Sequence, residues 1–333
     1  METTGNCLPV KIGIIAVTLV LLVSGCHNRP EGTGAVIRFE SILRETPADR
    51  IRDTLAKINP ELLTFLRLFN EEIIRIGPDT SVAYPDHVAR YLADPGIQEV
   101  YSRLKHHMPL ISNNLRLANE AIERIPALVP ALGKPLLVTY IGRFNQSFAA
   151  LPGVLAIGLE NYLGDTCSIY KSIGIPAYLR ARMKPENLQA DAVRAWLYSG
   201  LEPLAPDAGF LDNMVYQGKA YWLLKKLLPR LSDGELFQFT PEQAAWCQEN
   251  EKAMWRYLAE KEVLFSTDRM TIRRFFEEAP FTREFGNDSP GRTGAWIGYR
   301  MVSRFMKSTG LNPEELLMES DSRKILSLSK YHP

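Results

Sequence analysis

Histidine is scarce in this chain of 333 residues: it occurs as His27, His87, His106, His107 and His332, and nowhere between residues 108 and 331. An enzyme that takes two imidazoles from one helix to bind zinc has none to use in that stretch. The four cysteines, Cys7, Cys26, Cys167 and Cys247, are too few for a disulfide-built scaffold. Neither sign of charge is in excess, since 39 Lys plus Arg stand against 38 Asp plus Glu for a net charge of +1. With no basic tail either, the balance excludes nucleic acid as a partner. There is one long apolar run, so a multispan membrane protein is excluded as well. No GxSxG elbow, phosphate-cradling loop or dinucleotide glycine pattern stands at a strand–helix junction. Glu249, Glu251, Glu260 and Glu262 read as solvated helix faces rather than as a carboxylate pair for sugar chemistry. No residue is assigned a catalytic, cofactor-binding or metal-binding role, and no cofactor is expected.

What is present starts with that apolar run. Lys11 precedes Ile12–Val23, and Ser24-Gly25-Cys26 follows. Twelve residues fall short of the ~20 that cross a bilayer and match the ~7–15 of a signal-peptide core. Small residues set directly before a cysteine resemble a bacterial lipobox. The expectation is removal of residues 1–25, acylation of Cys26, and anchoring to a lipid bilayer at ~0.8 kcal/mol per buried methylene. Cleavage takes away Glu2, Lys11 and Cys7, so the mature charge stays at +1. Residues 26–34 then form a tether. His27-Asn28-Arg29 offers no aspartate of the kind that retains lipoproteins at the inner membrane, which favours the outer membrane facing the periplasm. Cys167 and Cys247 are expected as unpaired thiols, Cys247 on an apolar helix face.

Beyond the tether the chain is helical in period. Leu62, Phe65, Phe69, Ile73 and Ile76 follow an Asn59 cap and Pro60. Ile97, Tyr101, Leu104 and Met108 make one stripe, and Ile111, Leu115, Ala118, Ile122 and Ile125 a second. His106 and His107 are adjacent, so they point about 100° apart on a helix and do not share a metal. Leu136–Ile141 and Val154–Leu159 are strand-like, joined by a hairpin-like connection through Gly142, Asn145, Pro152 and Gly153. Helices return at Asp191–Tyr198, at Asp212–Leu228 and after Thr240-Pro241-Glu242-Gln243. In the third of these, Ala244, Cys247, Met254 and Leu258 share a face. Ser289-Pro290-Gly291-Arg292 introduces another, and Asn312-Pro313-Glu314-Glu315 starts the last. The five tryptophans read as core or interface. This predicts one globular unit over 35–333, with a helical part at 35–130 and a core at 135–317.

That core carries a resemblance. Phe144-Asn145, Val154-Leu155-Ala156-Ile157-Gly158-Leu159-Glu160-Asn161-Tyr162-Leu163-Gly164, Gly174-Ile175-Pro176-Ala177-Tyr178-Leu179-Arg180, Met214-Val215-Tyr216-Gln217-Gly218-Lys219 and Ser289-Pro290-Gly291-Arg292-Thr293-Gly294-Ala295-Trp296 follow in order. Together they resemble the gliding motility lipoprotein GldB family of Bacteroidetes, and the lipobox agrees. The family is similar in turn to zincin-like metallopeptidases, which implies a predominantly helical α+β fold: a degenerate zincin-like core with a small β-sheet and surrounding helices. By that resemblance the helix around Leu188–Ser199 stands where zincins carry two histidines at i and i+4, and it has none. Gln217 stands where the ligand glutamate is expected. The resemblance therefore implies a non-catalytic envelope protein of the gliding or associated secretion machinery, with other envelope proteins as partners. An envelope hydrolase of peptidase type, or a cell-wall peptide or glycan binder, is the alternative use of the same cleft. The cleft candidates are Gln217, Lys219, Arg194 and Arg292. Gln217 is expected to hydrogen-bond inward, to polar groups of the Ala192–Trp196 helix such as Arg194 or to the Arg292 turn, and Arg292 to brace its turn. Nothing in the sequence specifies an oligomeric state.

Overall fold

The computed structural model describes residues 36–333; the expected signal peptide, Cys26 and the tether lie outside the described residues. Four strands form one sheet: β1 (Ile37–Arg38), β2 (Leu136–Tyr140), β3 (Phe148–Leu151) and β4 (Val154–Gly158), in the order β1-β2-β4-β3. Every residue of β4 and all but the first of β2 are buried. Strands apolar on both faces suit parallel pairing, and β2 and β4 pair in parallel, not through the hairpin expected between them. The Pro152-Gly153 turn signal belongs instead to β3, which pairs antiparallel with β4. Gly153 makes that turn at φ +70°, a region open to glycine at little cost.

The first third, expected to be wholly helical, contributes β1, which pairs parallel with β2. Two residues show no period, so only the pairing reveals this strand. The strand leads into the helix Phe39–Glu45, and Phe39, Phe65 and Phe69 cluster beneath the sheet. Phe65 and Phe69 reach Tyr140 of β2 with ring centroids 5.9 and 6.0 Å apart. Helix α1 (Pro95–Ile122) joins the two apolar stripes that the sequence presents as separate segments. Asp94 caps it, accepting from the backbone N–H of Gly96 at 2.8 Å. Pro109 lies inside α1 on its exposed side, next to an exposed Lys105, whose carbonyl loses its helix bond where water can replace it. Leu104, Ile111 and Leu115 continue one buried face past it.

Five more helices position the site: α2 (Leu188–Gly200), α3 (Phe210–Leu227), α4 (Asp233–Phe237), α5 (Thr293–Thr309) and α6 (Pro313–Met318). Gly218 of α3 and Gly298 of α5 let the two backbones touch. A Cβ on Gly218 would lie 2.4 Å from the Gly298 carbonyl oxygen, and one on Gly298 2.0 Å from that of Met214. The capping box at Thr240 forms as its sequence predicts, with reciprocal bonds between Thr240 and Gln243 of 3.1 and 3.2 Å. The face running from Ala244 to Leu258 is divided at Asn250 into helices Pro241–Glu249 and Glu251–Glu260. Helix α6 is followed by α7 (Ser322–Ser329), absent from the sequence reading, whose Ile325 is buried in the core. The fold is thus predominantly helical α+β, with α2 packed between the β3–β4 side of the sheet and α3, and α3 packed in turn on α5. Cys167 and Cys247 are both buried, unpaired thiols.

Two buried carboxyl groups lie beside the sheet: Glu40, which accepts from Arg38 and Thr139, and Glu160. Glu160, in the turn after β4, is fully buried, and its Oε2 has no hydrogen-bond partner. Burial pushes its carboxyl up to about 7, although the backbone N–H groups of Gly142, Glu160 and Phe144 pull the other way.

Candidate functional site

Helix α2 is apolar on the side formed by Ala192, Val193, Trp196 and Leu197, all buried. Helical periodicity then turns Asp191, Arg194 and Tyr198, at spacings of three and four, towards α3. There they meet Gln217 and Tyr221, again four apart. The Tyr198 hydroxyl donates to Gln217 Oε1. Burial holds that phenol well above its ordinary range, so it stays protonated and able to donate. One turn away, Arg194 donates to Tyr221 Oη at 3.1 Å and to Asp191 Oδ1 at 2.6 Å. Asp191 also accepts from Gln238 Nε2 at 2.6 Å and from the Tyr162 hydroxyl at 3.2 Å. Three donors thus satisfy one enclosed carboxylate.

Arg292 enters from the start of α5. It is 5% exposed and holds φ at +61°, an uncommon backbone state for a residue with a side chain. Its guanidinium donates to Tyr221 Oη at 2.7 Å and to the Phe237 carbonyl at the end of α4. Tyr221 thereby accepts from two arginines, while its ring stacks on Phe237 with centroids 3.8 Å apart. Arg182, from the loop before α2, donates to the same Phe237 carbonyl at 3.0 Å. Burial pulls the Arg182 guanidinium down to about 10, still protonated at neutral pH. A polar cavity of about 350 Å³ opens beside Arg182 and Arg292. A larger one, about 890 Å³, lies elsewhere, between the edge strand β3, the end of α2 and α6, and shares no lining residue with the first.

The structure brings three of the four residues expected in the cleft close together, two of them in one hydrogen-bonded network. Arg194 and Arg292 join through Tyr221, and Gln217 sits a helical turn from Tyr221 on α3. Two details differ from expectation. Gln217 is half-buried rather than fully inward, and its partner is Tyr198, on the helix expected to supply it but beyond Trp196. Arg292 reaches across to α3 and α4 as well as occupying its turn. Lys219 does not belong to the group. Two residues past Gln217 it projects from another side of α3 and donates to the Glu319 carbonyl at 2.6 Å, just beyond α6. That places a cation at a helix C-terminus, where the backbone dipole favours it.

Asp191, Tyr198 and Tyr221 had a readable signal, namely a polar stripe at helical spacing on helices otherwise apolar. Arg182 lies in a loop and had none. The zincin resemblance implies a zinc ion facing α2, and the side chains there do not fit one. A guanidinium, a phenol and an amide, already bonded to one another, replace the imidazoles and carboxylate that the metal needs. Among the described residues, no three of His, Cys, Asp and Glu are grouped to hold a metal ion.

Fold and site together define a predominantly helical α+β protein with an arginine–tyrosine network at its centre. The chain belongs to the gliding motility protein GldB family, whose model matches residues 31–333. That is a family of lipoproteins tied to gliding motility, which associates the chain with the cell envelope. Comparison with curated proteins and comparison with solved structures each gave no match. Among the described residues, no helix is long and apolar enough to cross a membrane.

Proposed function

We propose that the protein is a non-catalytic, lipid-anchored component or accessory of the gliding machinery or its associated secretion apparatus, and that it works by binding other envelope proteins. Acylated Cys26 holds it in the bilayer, at the outer membrane and facing the periplasm. The zincin likeness of the core is part of this reading, with the ancestral cleft turned into a structural network.

The observation that carries the reading is the mutual bonding of the cleft residues. Tyr198 satisfies Gln217, and Arg194 and Arg292 satisfy Tyr221. Side chains committed to one another in this way are poorly placed to bind a metal or activate water. Cys26→Ser separates the anchor from the rest: it is expected to block processing or release the chain from membranes, and unchanged processing with full membrane retention overturns the anchor. Metal analysis and hydrolysis of envelope peptides by untagged protein address the chemistry. One zinc per chain, lost together with a peptidase activity, overturns the non-catalytic role.

A further inference from the structure

Arg182 and Arg292 make more of the 350 Å³ cavity than a wall. Both guanidiniums are turned to its floor and fixed there by one acceptor, the Phe237 carbonyl. Arg292, though 5% exposed, has an Nε that makes no hydrogen bond. In front of the pair stands one carboxylate, Glu278, whose Oε2 accepts from Arg182 and lies 3.4 Å from Arg292 Nε. Its side chain is 41% exposed, far more than those of the two arginines at 17% and 6%.

The charges do not balance at this point. Two guanidiniums face one carboxylate at the cavity's edge; of the other charged residues lining the cavity, Glu235 is taken by the backbone and hydroxyl of Ser232 and Lys184 pairs with Asp165. The backbone that follows Glu278 is held down at two points. Gly291 packs so closely on Ala279 that a Cβ would lie 2.4 Å from the Ala279 carbonyl oxygen, and Thr282 bonds to Pro290 at 3.0 Å. The movable part is the side chain of Glu278 itself.

We propose that Arg182 and Arg292 form a clamp for a peptide carboxylate, and that Glu278 is the chain's own occupant of it, displaced when a partner presents an acidic side chain or a C-terminus. Paired guanidiniums at a partly enclosed site favour a carboxylate through charge-assisted, two-point hydrogen bonding. The inference rests on the reading of this protein as a binder of envelope proteins and gives the chemistry that one of its cavities takes.

Glu278→Gln removes the internal competitor without burying anything new. In full-length protein in detergent, titration compares acetyl-Ala-Glu-Ala-amide, acetyl-Ala-Ala-Ala free acid and acetyl-Ala-Gln-Ala-amide. The variant is expected to bind at least one of the two acidic peptides about tenfold more tightly than wild type, and not the neutral one. Which acidic peptide gains identifies the source as side chain or terminus. Adding Arg182→Lys, which keeps the charge but loses the fork, is expected to remove about tenfold of that gain. No gain in Glu278→Gln, equal binding of the neutral peptide, or indifference to Arg182→Lys overturns the clamp. Co-purification of envelope proteins with the wild-type chain tests the wider role independently: capture with no peptide binding removes the clamp alone, and peptide binding without capture removes the role alone.

Discussion

Glu160 beside the sheet and Arg292 at the start of α5 are buried to a similar depth and each leaves one polar atom unpartnered, yet their remaining partners differ in kind. Glu160 has one oxygen with no partner and only backbone N–H groups near the other, and its carboxyl moves up to about 7. Arg292, like Arg194 beside it, has a phenol oxygen to donate to and an acidic residue within reach. Desolvation alone drives a buried group towards its neutral form, while partners of the right kind let the charge persist. Beside the sheet, burial pushes the Glu160 carboxyl up, whereas Arg292 and Arg194 meet partners of opposite or complementary polarity.

The comparison breaks most severely at Asp191. Asp191→Ala strips Arg194, Gln238 and Tyr162 of their shared acceptor, leaving an enclosed guanidinium without its carboxylate. A loss on the order of 3 kcal/mol is expected in denaturant unfolding. A change below about 0.5 kcal/mol, the ordinary scatter of surface substitutions, would show that the network does not hold the helices together.

Glu160→Gln works in the other direction and depends on pH. The folded-state value of about 7 lies above the ordinary 4.5, so the native state keeps a proton that the unfolded state has lost. Stability from this group is fully present below pH 4.5 and falls as pH rises to about 7. The fall amounts to about 3 kcal/mol, at 1.4 kcal/mol per unit. The variant should match wild type near pH 4 and exceed it at pH 8 by up to that amount. Parallel stability–pH curves for the two proteins would rule this out.

Smaller effects sharpen the contrast. Gln217→Ala removes the acceptor of Tyr198 at a half-buried site and is expected to cost about 1 kcal/mol, with partner binding affected only through stability. An unchanged melting temperature together with lost complex formation would make Gln217 a working contact instead. At the far end of the scale, Arg116→Ala breaks an ion pair with Glu120 whose side chains are both more than half exposed. It is expected to change stability by no more than about 0.5 kcal/mol. A cost like that of Asp191→Ala would mean that enclosure is not what separates the two pairs.

How far the sequence reaches depends on whether a signal is local. The capping boxes at Thr240 and Asn312 form as written, because each closes within four residues. The apolar stripes on α2, α3 and α5 likewise mark their buried faces. Pairing is another matter. Nothing local distinguishes a parallel β2–β4 pair from a hairpin, and a two-residue β1 has no period. The stripes on either side of Pro109 read as two segments until tertiary packing carries α1 past it. The cleft shows the same divide: the helical positions of Arg194 and Gln217 are legible, whereas their partners, and the meeting of Arg182 with Arg292 from two distant loops, are decided by how the helices cross.

That crossing has a further consequence. Gly218 and Gly298 bring α3 and α5 into backbone contact, so neither helix can slide along the other without a collision of main chains. Tyr221 rides on α3, and Arg292 stands at the threshold of α5. The spacing between them is fixed by peptide groups instead of by adaptable side chains. The clamp is therefore set before any partner arrives. A carboxylate that displaces Glu278 meets a receptor whose ordering cost was met during folding, and selection among partners becomes a matter of shape at first encounter.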